Sequence, residues 1–337
     1  MKILFVTDAW PPQVNGVVRT LKETIRNLEI FGHRVEVISP DGFRCIPCPS
    51  YPEIPLAILP GRAVARRIEA AAPDAIHIVT EGPLGSAARR YCLRHGIPFT
   101  TAYHTAFPEY VAERVPGTLG LSYHWLRRFH APSEAVMVPT ATMIERLNAR
   151  RFQNLAFWSR GVDAQLFRPR SKDFLAGKRP IYLYAGRIAV EKNIAAFLKM
   201  RLPGTKYVVG AGPMLNQLKA KYPDAHYTGY VDDETLAAFY AAADVFVFPS
   251  RSETFGLVLL EAMASGLPVA AYPVTGPLDV IGDSGAGTLR DDLTEAIDSA
   301  LSIAPDDCRG HAMKFSWTDA TQQFLTHLRN NAAVIAP

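Results

Sequence analysis

KILFVTDAWPPQVNGVVRTLKETIRNLEIFGHRVEVIS, residues 2–39, decides the fold of the first half of the chain. The apolar run from Ile3 to Val6 ends at Thr7 and Asp8, the turn-rich DAWPPQVNG follows, and a helical pattern runs from Val17 to Phe31 until Gly32 stops it. RVEVIS is then a second strand. Strand, loop, helix and strand in that order build a parallel sheet, because a parallel neighbour is reached only by a crossover. Further units run through AIHIV at 75–79, a helix around Gly85 to His95, PFTTAYH at 98–104 and AVMVPT at 135–140. The first half is therefore expected to be a Rossmann-like domain.

The pattern starts again at PIYLYAGRIAVEKN, residues 180–193, where a strand runs into a glycine turn with a helix expected from Asn193. KYVVGAG at 206–212, HYTGYV, VFVFPS and PVAAYPV supply later strands, and helical segments are expected at 234–242, 255–265 and 291–303. Proline, glycine and charge collect between residues 162 and 180, which places the boundary so that 1–167 and 168–312 are separate domains. The end of the chain, Phe315 to Arg329, reads as an amphipathic helix with apolar positions at Phe315, Trp317, Ala320, Phe324 and Leu328. Such a face needs a partner, and this helix, within 313–330, is expected to join the first domain.

Composition agrees with a globular α/β enzyme. Of 337 residues, 48% are hydrophobic and 20% charged, which offsets chain entropy and excludes disorder, while the length suits two cores. The net charge of +4 does not mark a nucleic-acid binder. It is unevenly spread: residues 1–167 carry 19 Lys and Arg against 14 acids, and residues 168–337 carry 17 against 18. An Arg-rich first half suits contact with phosphates or anionic lipid. Four cysteines in a chain of this length point to reduced thiols and a cytoplasmic setting. CIPC at 45–48 reads as a proline-rich loop, and without a second pair it is a poor zinc or redox motif. The run before Thr7 is too short for a signal-peptide core, and the stretch from Thr254 to Leu278 is broken by Glu261, glycines and prolines, so it reads as helix, turn and strand.

Two open parallel sheets put their functional loops at the carboxyl ends of the strands, so the expected active site is a cleft between the domains. Gly16 opens a helix whose free amides and dipole can approach an anion. Arg187 and Lys192 both lie between a strand end and a helix start, which suits a diphosphate; an exposed loop edge is the other reading. In SRSETFGLVLLEAMASG, residues 250–266, Glu253 and Glu261 stand eight positions apart. With a helix running from Phe255, their carboxylates would meet different hydroxyls of one ligand, and the amides at Phe255, Gly256 and Leu257 would form a second anion site. A buried acid inside LVLLEAMA could equally serve a structural salt bridge.

These segments resemble, in order, the retaining glycosyltransferases of family 4, which have the two-domain GT-B architecture. The resemblance covers TDAWPPQVNGVVRTL, EGPLG, YHTAFPEY, GVDAQLF, AGRIAVEKN, GAGP and the Glu253 to Glu261 motif. The HTxFPxY stretch is most similar to the bacterial mannosyltransferases and sulfolipid-synthase-like enzymes that build glycolipids. The resemblance implies that Gly186, Arg187 and Lys192 hold the diphosphate of a UDP- or GDP-linked sugar, and that Glu261 binds the ribose and Glu253 the sugar. It implies amides from Gly256 and Leu257, contact of Tyr230 and Val231 with the base, and a hydrogen bond from His104 to the donor sugar. Retention without a lasting covalent intermediate is implied too, the leaving diphosphate accepting the acceptor's proton.

No two aspartates stand two positions apart, so the Asp-x-Asp metal site of the other large glycosyltransferase architecture is missing. Neither a metal nor a cofactor is expected. The expected acceptor is a membrane glycolipid, either diacylglycerol or its glycosylated form, with a soluble sugar or polysaccharide as the alternative. GRAVARR at 61–67 and YHWLRRF at 123–129 mix cations with apolar residues, as a peripheral contact with the inner membrane face would, or as ordinary helices with a solvated basic face would. A nicotinamide dehydrogenase fits poorly, since the first loop lacks GxGxxG and Pro213 and Met214 follow GAG in the second. A catalytically silent sugar-nucleotide binder would have no reason to keep Arg187, Lys192, Glu253 and Glu261 together.

Overall fold

The structure, a computed structural model, describes residues 1–48 and 51–335. In chain order the first elements are β1 (Lys2–Val6), α1 (Gly16–Ile30), β2 (Arg34–Ile38), β3 (Cys45–Cys48), β4 (Tyr51–Ala57), α2 (Gly61–Ala71), β5 (Ala75–Ile78) and α3 (Pro83–His95). Then come β6 (Thr100–Ala102), α4 (Phe107–Arg114), α5 (Leu119–His130), β7 (Val136–Val138), α6 (Ala141–Ala149) and β8 (Leu155–Phe157). The second series is β9 (Ile181–Ala185), α7 (Ile194–Leu198), β10 (Thr205–Val209), α8 (Leu215–Lys221), β11 (His226–Gly229), α9 (Asp233–Ala242) and β12 (Val245–Phe248). It closes with α10 (Leu257–Ala264), β13 (Val269–Ala271), α11 (Pro277–Val280), β14 (Gly287–Leu289), α12 (Leu293–Ala300) and α13 (Pro305–Ala312), before the final helix α14 (Trp317–Ile335).

Two units form. One holds residues up to Ser159 and those from Trp317 onward; the other is Arg160–Ser316. The break lies earlier than the expected 167/168 because the segment after Ser159 is already bound into the second unit. There the Val162 amide donates to the Phe315 carbonyl at 3.2 Å, Arg309 donates to the Phe167 carbonyl at 3.2 Å, and the Phe167 ring packs on Tyr240. Phe315 accordingly belongs to the second unit, against Phe255 and His311, and α14 starts at Trp317 rather than within 313–315.

In the first unit the six-stranded sheet runs β2-β1-β5-β6-β7-β8, all parallel. Both faces are covered, so alternate residues of β1 feed different cores. Ile3 and Phe5 meet Leu21 and Leu28 of α1 and Phe324, Leu325 and Leu328 of α14, whereas Leu4 and Val6 meet Val64 and Ile68 of α2 and Leu84 and Ala88 of α3. CIPC is not a loop: β3 pairs antiparallel with β4, Cys45 opposite Ala57 and Pro47 opposite Pro55. A two-stranded hairpin tolerates proline because an edge position needs no donor. Cys45 has its thiol against the Phe43 carbonyl at 3.5 Å, and burial, then the charges of Asp8 and Asp41, push it up and away from the reactive thiolate.

The strand order of this sheet reverses between β1 and β5, where Asp8 closes the loop. Its carboxylate accepts from the amides of Leu84 at 3.0 Å and Gly85 at 3.4 Å, and from the Thr80 hydroxyl at 2.8 Å. Burial holds this carboxyl above its usual range despite those donors. The amino end of α3 is thus satisfied by the chain's own anion.

The second unit repeats the scheme, with the all-parallel order β11-β10-β9-β12-β13-β14 and a reversal between β9 and β12. Ile181, Leu183 and Ala185 of β9 join one core with α9, α10 and α13, and Tyr182 and Tyr184 join the other with α7 and α12.

Phe324 tests the return of α14 to the first unit. Fully buried, it stacks on Phe5 at 5.4 Å and meets His77 and Trp158 at 5.0 and 4.9 Å. Phe324→Ala is expected to cost ~3–5 kcal/mol of the first unit's stability, read in urea as an earlier transition of that unit while the second keeps its midpoint.

Candidate active site

Eight of the positions singled out in the sequence stand at the carboxyl edge of the second sheet: Gly186, Arg187 and Lys192 on the loop after β9, Tyr230 and Val231 after β11, and Glu253, Phe255 and Gly256 after β12. The loop after β9 is held by backbone hydrogen bonds to the loop after β10. The Gly186 amide donates to the Val209 carbonyl at 3.0 Å, Ile188 to Ala211 at 2.9 Å and Met214 to Ile188 at 3.1 Å, while Gly210 donates to Gly229 at 2.9 Å. The approach leaves no room for a side chain: a Cβ on Gly210, whose φ is +132°, would lie 2.0 Å from the Gly186 carbonyl oxygen. GAGP therefore serves backbone packing here, which accounts for its glycines without a dinucleotide. Arg187 sits inside this clamp, its carbonyl accepting from the buried Tyr184 hydroxyl at 2.8 Å.

Lys192 ends a single 3₁₀ turn, Val190–Lys192, and the helix expected from Asn193 is the five-residue α7, with Asn193 as its cap. Asn193 takes the left-handed conformation at φ +50°, and its side-chain amide donates to the Pro249 carbonyl at 3.1 Å. The Ser250 hydroxyl contacts the Glu191 carbonyl from the same side, at 3.2 Å. These two ties hold the loop after β9 against the loop after β12, and between them the Lys192 ammonium donates to the Glu253 carboxylate at 2.7 Å. Both side chains are mostly buried, at 17% and 14% exposure, so the pair is screened far less than a surface ion pair. The other Glu253 oxygen accepts from the Thr254 amide at 3.0 Å, and Gly276 lies close to its Cγ.

The segment from Phe255 departs from the expectation. Phe255 is not helical; Gly256 at φ +89° is the cap, and α10 begins at Leu257. A left-handed residue cannot continue a right-handed helix, so the Phe255 side chain turns into the core and only its backbone faces the loop. Glu261 lies one turn into α10, 4% exposed, and accepts from the Tyr240 hydroxyl at 3.1 Å. Tyr230 is 63% exposed just after β11, and Val231 beside it packs partly on the core.

His104 and Gly16 belong to the first unit. His104 follows β6 with its ring edge-on to the buried Trp158 at 5.6 Å. Gly16 is the first residue of α1, but its helix end is already capped, the Asn15 side chain accepting from the Val18 amide at 3.0 Å. Sequence reading passed over Asp8, Asn193 and Tyr240. Asp8 and Asn193 had a visible signal, each being a turn-prone polar residue soon after a strand; Tyr240, inside FYAAAD, had none.

Residues 14–166 match the family profile described as Glycosyltransferase Family 4, and residues 179–304 the one described as Glycosyl transferases group 1. A GDP-mannose-dependent alpha-mannosyltransferase of Mycobacterium tuberculosis (strain CDC 1551 / Oshkosh) is 30% identical over 316 residues, covering 86% of this chain and 83% of the relative. Sulfoquinovosyl transferase SQD2 of Arabidopsis thaliana is 31% identical over 314 residues, covering 84% of this chain and 62% of the relative. Among solved structures, sucrose-phosphate synthase from Thermosynechococcus elongatus matches with a TM-score of 0.77 at 20% identity, over 99% of each chain. Anabaena Alr3699/HepE in complex with UDP and glucose matches with a TM-score of 0.73 at 16% identity, over 98% of this chain and 99% of that one. At these identities the likeness to the solved structures is one of fold.

The loop clamp is testable directly. Gly210→Ala is expected to lower the stability of the second unit by ~1–3 kcal/mol through overpacking and to speed tryptic cleavage after Arg187 and Lys192. Gly120→Ala, at a position with nothing within 4 Å of the added carbon, should change neither.

Proposed function

The chain belongs to glycosyltransferase family 4 and is a retaining hexosyltransferase of GT-B architecture, and from that premise we propose how its own residues hold the donor and what the acceptor is. The donor is a hexose on a nucleoside diphosphate, GDP-linked or UDP-linked. Arg187 and Lys192 take the diphosphate, because two cations on one clamped loop next to the strand-order reversal form a preorganised positive site. The Lys192–Glu253 hydrogen bond at 2.7 Å carries this reading. An ammonium has three donors, so Lys192 can orient the Glu253 carboxylate and meet a phosphate oxygen together. Glu253 then addresses sugar hydroxyls.

Glu261, held by Tyr240, serves the ribose, and the backbone amides at Gly256 and Leu257 serve phosphate. Tyr230 offers an exposed ring to the base, and His104 hydrogen-bonds the donor sugar. The chemistry needs little more. As the glycosidic bond breaks, negative charge grows on the departing diphosphate, and fixed cations stabilise that charge more than they stabilise the ground state. The diphosphate oxygen takes the acceptor's proton on the face it leaves, which yields retention without a separate protein base. Arg187 and Lys192 supply the charge compensation, so no divalent ion is required.

The acceptor is a hydroxyl of a membrane glycolipid, diacylglycerol or its glycosylated form. Support comes from the relatives: SQD2 is a sulfoquinovosyl transferase, and a Streptococcus pneumoniae relative bears the name alpha-monoglucosyldiacylglycerol synthase. No helix among the described residues is long and apolar enough to cross a membrane. The enzyme would reach such an acceptor as a peripheral protein on the inner membrane face.

Calorimetry with GDP and UDP in the presence of a chelator is expected to show binding of at least one; tight NAD binding with neither diphosphate bound would overturn the donor assignment. Arg187→Ala should lower turnover ~10²–10³-fold, the effect of losing one preorganised donor, with an unchanged thermal midpoint. A donor and acceptor array read by mass spectrometry, with host lipid extract among the acceptors, should yield a glycosylated lipid. Transfer only to soluble sugars or polysaccharide would replace the lipid acceptor.

A further inference from the structure

The carboxyl end of α5 carries more positive charge than its own structure uses. A cavity of about 240 Å³ opens there, lined by His124, Arg127, Arg128, Ala131, Arg151 and Gln153. No acid is among these six, and among the described residues none of the three arginines has a carboxylate within ion-pair distance. One ordinary explanation is that cations collect where helices end, since α5 and α6 both finish nearby. The hydrogen bonds account for only part of the charge in that way. The α5 end is already served by Arg89, whose guanidinium donates to the Phe129 carbonyl at 2.8 Å and the Arg128 carbonyl at 2.9 Å. Arg127 serves the end of α6 through the Arg150 carbonyl at 3.2 Å. Arg128 and Arg151 are left over. Burial and then the Arg128 charge lower the affinity of Arg89 for its proton.

Two further features give the corner the form of a site. Arg151 holds a left-handed backbone at φ +61°, a conformation that Asn or Gly adopts more readily, at the turn that brings it beside the end of α5. Arg127 donates to His124 Nδ1 at 3.2 Å, which leaves the His124 proton on Nε2 as a further donor. We propose that this cavity is a phosphate-binding site, with Arg128 and Arg151 as its principal ligands and Arg127, His124 and Gln153 completing the donor set. A phosphate group is the chemistry that guanidinium forks match in shape and charge. Water takes ~30 Å³ per molecule in the liquid, so the cavity holds a phosphate group together with part of its hydration.

The site lies away from the donor and acceptor loops. Ala131 precedes β7 and Arg151 and Gln153 precede β8, so the cavity is at the amino-terminal edge of the first sheet, whereas the family motifs lie at the carboxyl edge. It binds phosphate whatever the acceptor of the transfer reaction is. The phosphate can come from a free ion or from a lipid headgroup; Leu121 and Trp125, exposed at 72% and 45% on the same face of α5 as Arg128, would lie against acyl chains in the second case.

The test uses the full chain at low ionic strength, titrated calorimetrically with inorganic phosphate and, separately, sedimented with phosphatidylglycerol vesicles and with neutral phosphatidylcholine vesicles. Saturable binding is expected in at least one of the two phosphate arms, and which arm responds identifies the source. The paired variant Arg128→Ala with Arg151→Asn, both exposed and the second compatible with the left-handed turn, should weaken it at least ~10-fold, the loss expected from charge-assisted hydrogen bonds. A variant with the same charge change elsewhere, Lys22→Ala with Arg26→Ala on the exposed face of α1, should keep most of it. Absence of binding in both arms, or equal loss in the two paired variants, would overturn the site in favour of diffuse surface charge.

Discussion

A strand covered on both faces leaves chemistry only at its ends. In both units the central strand gives alternate side chains to two cores, Ile3 and Phe5 against Leu4 and Val6 in β1, Leu183 against Tyr182 and Tyr184 in β9. Polar groups that must meet a ligand are therefore pushed into the loops that follow, and the reversal of strand order decides which loops have space beside them. Everything distinctive about the second unit follows from that confinement. Its loops carry Gly186, Arg187, Lys192 and Glu253, while Glu261, buried on α10, accepts from the Tyr240 hydroxyl.

Rigidity at those loop ends comes from backbone contacts more than from side chains. Gly210 and Gly212 run so close to the backbone of Gly186 and Ile188 that a side chain on either would have no room. In the role proposed for Arg187 and Lys192, loops held in this way would not have to reorganise as negative charge develops on a leaving group, which is the condition under which electrostatic stabilisation is strong. The corresponding position in the first unit is arranged differently. At the reversal between β1 and β5 the chain supplies its own anion, Asp8, to the amides of α3. Two sheets of one architecture thus treat a helix amino end in opposite ways, one closing it with a carboxylate and the other opening α10 with a left-handed glycine.

Much of this was legible in the chain. The short apolar runs of β1 and β9, the glycine stops and the order of short motifs identify two parallel sheets and the loops that follow their strands. The misreadings have particular causes. CIPC looked like a loop because two prolines in seven residues discourage a strand, yet antiparallel pairing with β4 supplies the order that propensity withholds. Phe255 looked helical because its apolar neighbours are, and the left-handed Gly256 was needed to turn its side chain into the core. The unit boundary falls earlier than composition suggests because Val162 and Phe167 sit in a stretch of linker-like composition while their backbone is bound to residues from the other end of the unit.

The sequence by itself determined the fold class, the family and the identity of the loops, since these depend on periodicity and local turn chemistry within a few dozen residues. Only the tertiary structure decided that Lys192 holds Glu253, that Tyr240 stands behind Glu261 and that Asp8 fills the end of α3. Those partners are separated by 61, 21 and 76 positions, and they meet because strands far apart in the chain lie side by side in a sheet. Local patterning carries no record of such pairings; the order in which strands assemble does.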